Sequence, residues 1–169
     1  MRTLFLLGLL GSGYSFLPTL VFGQDPERWQ QISFEKPEDF KANEDVVLEC
    51  ARFILDVPAE PGNPARKTAL TKVAEWMSGT PDYNFIIGEH VGRLMNNNEA
   101  ILGIYMAAMT RHVLENRGSP TTPDELRFSS FETLLQYCEN PRNKVPASRE
   151  LKRAIKAKNS GKLRDYLSS

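Results

Sequence analysis

The 169 residues carry 21 lysines and arginines against 21 aspartates and glutamates, with 41% hydrophobic and 25% charged side chains. A chain of this size buries about two thirds of the surface its unfolded form exposes, so no second domain is needed. The net charge of zero hides an uneven distribution: beyond residue 140 nine cations face only two acids, which leaves the preceding part acidic.

The chain begins with a positive charge at Arg2, continues through an apolar run, and reaches the small-residue pattern Val21-Phe22-Gly23. That order predicts a secretory signal peptide over residues 1–23, cleaved before Gln24. Gly11, Ser12, Gly13, Ser15 and Pro18 interrupt the apolar run, which makes it a poor membrane span. The mature chain is expected to be periplasmic or secreted, with no integral membrane span. The lack of an Asn-x-Ser/Thr sequon leans toward a bacterial envelope.

Residues 24–43 read as an N-terminal extended arm bracketed by Pro26 and Pro37, laying Trp29, Ile32 and Phe34 on the body. From residue 44 to 169 the pattern is that of a single α-helical domain. The first helix is expected over 44–56, capped by Asn43, with Val46, Val47, Cys50, Phe53, Ile54 and Val57 on one stripe and Pro58 ending it. The second has Asn63 as cap, Pro64 at the first helical position and Gly79 just past its end, with Ala69, Leu70, Val73, Trp76 and Met77 inward. A turn, Thr80-Pro81-Asp82-Tyr83-Asn84-Phe85, leads to a shorter helix over 87–95.

The stretch 96–118 is apolar on nearly every face in its first half, as a helix enclosed by others is. Asn98 can cap its start, and Gly118 can take the left-handed conformation beyond its end. Thr122 and Glu125 have capping-box spacing, and Pro123 starts a helix carrying Leu126, Phe131, Leu134, Leu135 and Cys138 inward until Asn140-Pro141 stops it. A basic helix over 147–158 and a last turn with Leu163, Tyr166 and Leu167 complete the chain. No run of β-branched residues alternates with polar ones. The fold expected is all-α, an irregular bundle of six to seven helices, with stacked helix pairs as a variant.

Cys50 and Cys138 both lie on apolar stripes and survive cleavage, so a disulfide between them is expected, with two buried thiols as the alternative. His90 and His112 belong to no metal-ligand pair, no Cys-x-x-Cys occurs, and no nucleophile elbow or phosphate loop is present. No metal, cofactor or catalytic set is predicted. Glu89, His90 and His112 are the acid/base candidates should the chain be a small helical hydrolase or lyase. Two candidate interaction surfaces remain. One is the turn with Pro81, Asp82, Tyr83 and Phe85, whose aromatics more often pin a loop to the core. The other is the basic helix with Arg149, Lys152, Arg153 and Lys156, which either docks on the chain's own acidic body or meets an anionic partner. That partner is a protein or an anionic envelope component. Nucleic acid is excluded by export and by the sparse aromatic residues among these cations. The leading expectation is an exported, non-enzymatic domain acting by protein or envelope contacts.

The segment Glu75-Trp76-Met77-Ser78-Gly79-Thr80-Pro81-Asp82-Tyr83, followed by Ala107-Ala108-Met109-Thr110 and Gln136-Tyr137-Cys138, resembles small exported all-helical proteins of Bacteroidetes-type bacteria, a set of unassigned function. The resemblance implies a periplasmic or secreted location and carries no functional residue. In size, export and helix content the chain also resembles small periplasmic immunity proteins, which implies an inhibitor or immunity role. It lacks their several-cysteine pattern.

Overall fold

In the computed structural model, residues 25–95 and 98–169 are described. The expected signal peptide, 1–23, lies outside them, as do Asn96 and Asn97 of the central stretch. The elements run α1 Pro26–Gln31, α2 Pro37–Ala42, α3 Glu44–Asp56, α4 Pro64–Gly79, α5 Glu89–Met95, α6 Ala100–Glu115, α7 Pro123–Glu139, a 3-10 turn Pro141–Asn143, α8 Arg149–Asn159 and α9 Leu163–Leu167. No strand occurs among the described residues, so the all-α irregular bundle holds.

Over its described residues, 25–43, the expected arm is not extended. Asp25 accepts hydrogen bonds from the Glu27 and Arg28 amides and Pro26 supplies a preset φ, which starts α1. Pro37 does the same for α2, while the Asp39 carboxylate reaches back to the Glu35 and Lys36 amides at 3.0 and 2.9 Å. The arm does lay its apolar side chains on the body. Trp29 is fully buried, 5.0 Å from the Phe53 ring, and Phe34 stacks on Phe40.

α3 has the expected bounds, but Asn43 does not cap it through its side chain, whose amide instead donates to the Asp39 carbonyl. α4 begins as expected, with Asn63 Oδ1 accepting from the Arg66 amide at 3.1 Å. Gly79 is its last residue rather than the one beyond. A methyl group built there would sit 2.3 Å from the tip of the Phe40 ring, so α2 rests on α4 where a side chain is missing. Trp76, fully buried, donates its indole N–H to the Phe40 carbonyl at 3.1 Å and fixes the same contact. α5 starts at Glu89, two residues later than expected, and Ile86 and Ile87 are left exposed before it.

α6 is the hub, packed against α3, α4, α5 and α7. Ile101, Gly103, Ile104, Tyr105, Ala107, Ala108, Met109 and Thr110 are all buried, whereas Arg111, His112 and Glu115 emerge toward the surface. Gly118 takes φ +81°, the left-handed conformation, shortly after the helix ends. α7 opens on a complete capping box, with Thr122 Oγ1 accepting from the Glu125 amide and Glu125 Oε2 accepting from the Thr122 amide at 2.9 Å.

Cys50 and Cys138 are both buried and unbridged. The expected disulfide is therefore corrected to the alternative, two buried thiols. Both stripes do enter one core, but α3 and α7 each pack chiefly on α6, so sharing a core does not pair the sulfurs.

Candidate interaction surface

α8 is built to dock on one side and present charge on the other. Ser148 Oγ accepts from the Leu151 amide at 3.1 Å, Glu150 sits in the first turn, and Lys156 and Lys158 sit in the last, as the helix dipole favours. Leu151 and Ala154 are buried, and Ile155 and Ala157 are half-buried, against α5, α7 and α9. Arg149, Lys152, Arg153 and Lys156, at positions i, i+3, i+4 and i+7, lie on the opposite arc, and all four are exposed.

The expectation that the tail docks on its own acidic body is met only in part. Lys158 reaches Glu139 of α7 at 2.6 Å and Lys144 reaches Glu60 at 2.5 Å. On the outer arc, Arg153 meets Glu150 of its own helix at 3.8 Å, and its guanidinium lies 5.8 Å from the Tyr166 ring of α9. Arg149, Lys152 and Lys156 have no carboxylate within ion-pair distance among the described residues. Lys152 and Lys156 also flank a shallow groove with Ile155, Asn159 and Ser160. Arg164, on α9, lies over the Phe128 ring at 4.2 Å, which secures the end of the tail to α7.

The other candidate surface closes inward. Tyr83 and Phe85 lie half-buried at 5.5 and 5.8 Å from the Trp76 ring, so they pin the turn to the core. Burial pushes the Tyr83 phenol above its ordinary range. Pro81 and Asp82 stay exposed, Asp82 facing Lys41 at 3.7 Å. The exposed apolar pair in this loop, Ile86 and Ile87, directly follows the expected turn and interrupts no periodic pattern that would single it out.

The acid/base candidates are set in separate surroundings. His90 donates from Nε2 to the Tyr166 carbonyl at 3.0 Å and meets the Phe131 and Tyr166 rings edge-on, so it is the clasp between α5 and α9. Glu89 is exposed, with Arg93 at 3.9 Å on its own helix. His112 on α6 is pushed below its ordinary pKa, first by burial and then by the adjacent Arg111 charge. Among the described residues no three His, Cys, Asp or Glu side chains gather in a metal-holding group, and no helix is long and apolar enough to cross a membrane.

One residue was not anticipated. Arg66 is only 4% exposed, although nothing in its immediate neighbours distinguishes it from the other cations of α4. The available signal is positional: Arg66, Ala69, Val73 and Trp76 form the buried stripe of α4, so a cation occupies the first place of an apolar series. Its Nη1 donates to the Ile54 carbonyl at 2.6 Å, and Tyr137, under its guanidinium at 6.0 Å, donates to the Val57 carbonyl at 2.6 Å. Comparison of the chain with known protein families, curated proteins and solved structures finds no match in any of the three.

Proposed function

We propose that the chain, after loss of residues 1–23, is an exported module that works by contact rather than turnover, with the outer arc of α8 engaging an anionic envelope surface. The observation that carries this reading is the stripe Arg149, Lys152, Arg153 and Lys156, facing directly away from the apolar face that docks α8. Cations needed only to hold the tail down would point at acids on the body, as Lys158 and Lys144 do. The engagement of His90 Nε2 by the Tyr166 carbonyl supports contact over catalysis, since acid/base chemistry needs such a group free to reach a reacting atom.

Each cation close to an anionic lipid surface contributes about 1 kcal/mol, so four give affinity that salt weakens strongly. The test is sedimentation with vesicles containing anionic lipid against vesicles of zwitterionic lipid alone, at low and high salt. The protein is expected to co-sediment with anionic vesicles only, and to be released by salt. A variant with Arg149, Lys152, Arg153 and Lys156 changed to Gln should lose at least about tenfold in affinity while keeping the same circular dichroism. Equal binding by the two proteins, or binding indifferent to salt, overturns the reading.

A further inference from the structure

A cleft of about 960 Å³ opens between the start of α4, the start of α6 and the loop after the 3-10 turn, within the size range of small-molecule sites. Arg66 forms part of its wall. A guanidinium removed from water is normally matched by a carboxylate, because an uncompensated buried charge is costly. Arg66 has none within ion-pair distance among the described residues. Nη1 is held by the Ile54 carbonyl, and Nη2 is buried without a partner. The amide Nδ2 of Asn98, also on this cleft, is a second donor without a partner among the described residues. Lys67 adds an exposed cation beside them, and the positive ends of α4 and α6 both border the space.

We infer that this cleft is a binding site for a small carboxylate with an apolar body, whose carboxylate supplies the counter-charge that Arg66 lacks. The donor set separates this class from phosphate. A phosphate site presents several free backbone N–H groups. Here Pro64 has none, the Arg66 and Lys67 amides are bonded to Asn63, and the Ala100 and Ile101 amides are bonded to Asn98. One planar fork with a neighbouring amide suits a single carboxylate. Pro61, Leu70 and Pro146 along the walls call for hydrocarbon, and the acids Glu60 and Glu99 at the edge disfavour a ligand of high negative charge. Because Nη2 is covered, engagement turns the guanidinium outward about its Ile54 contact.

The test is a nitrogen-15 NMR titration of the purified protein with hexanoate and with benzoate, alongside hexanol and inorganic phosphate. The two carboxylates are expected to shift the Arg66 Nε–Hε resonance and the amides around Asn63 and Asn98. Hexanol and phosphate should bind at least about tenfold more weakly. Arg66→Met should abolish the shifts, and Arg66→Lys should keep part of them. Thr71→Glu places a negative charge on the exposed edge of the cleft without touching the core, so it reads the same site if Arg66→Met fails to fold. It should weaken both carboxylates severalfold. The Gln variant of the α8 stripe should titrate like the unaltered protein, which separates this site from that surface. Absence of cleft shifts up to about 20 mM, or shifts indifferent to Arg66→Met and Thr71→Glu, overturns the inference.

Discussion

Cys50 and Cys138 show how much a single buried atom can report. Burial pushes both thiols from the ordinary 9.0 up to about 12, the Glu49 charge adding to the effect on Cys50. Neither is a nucleophile near neutral pH, since the thiolate is the reactive form. The linkage has a definite sign. Below about pH 9 both states keep the thiol protons and the cysteines add no slope. Above it the unfolded chain releases them while the folded chain holds them, so stability falls as pH rises and levels off near 12. The limiting slope is about 1.4 kcal/mol per pH unit for each thiol. Tyr105, raised to about 12 by burial, acts in the same direction above its ordinary 10.0. Urea unfolding midpoints are therefore expected to drop above pH 9, less steeply in Cys50→Ala and Cys138→Ala. Ellman's reagent should find two thiols only after unfolding. A chain yielding none in denaturant would restore the bridge.

At the scale of the element, the start of α7 carries the clearest prediction. Thr122 and Glu125 satisfy each other's amides, so Thr122→Ala removes a side-chain cap and strands the Glu125 amide. A loss of about 1 kcal/mol is expected in urea unfolding, with no change in the slope of the transition. The Glu125 carboxyl is held below its ordinary pKa by the Thr122 amide and hydroxyl, and it should titrate closer to normal in the variant. Caps of this kind are why α4 and α7 could be bounded from sequence: Asn63-Pro64 and Thr122-Pro123 act within a few residues. α1 and α2 carry the same signals in Asp25-Pro26 and in Pro37 with Asp39, but six residues are too few to show a helical period. Ile87 has the hydrophobicity of a helical position, whereas α5 begins only at Glu89, with the Gly88 carbonyl accepting from the Val91 amide.

For the molecule as a whole, what the sequence hides is whatever depends on which faces meet. The basic stripe of α8 was legible because spacing along one helix defines it. The bridge between Cys50 and Cys138 was not excluded, because an apolar stripe shows that a residue is inside and not what it touches. Arg66 escaped for the same reason. Its environment is assembled from Ile54, twelve residues before it, and Tyr137, on a helix across the core. Such long-range ties also close the fold. The Ala59 amide donates to the Asn143 carbonyl at 3.0 Å, which stitches the loop after α3 to the turn after α7.

The enclosure of α6 sets how the protein loses its shape. No helix covering it can leave without admitting water to residues such as Ile104 and Met109, so its amides have no private route to solvent. In deuterium oxide the backbone hydrogens of Ile104 to Met109 should be the last to be replaced, at one common rate set by the global unfolding free energy. Those at the ends of α1 and α9 should be gone early. A faster loss from the middle of α6 would mean that the bundle comes apart in pieces rather than all at once.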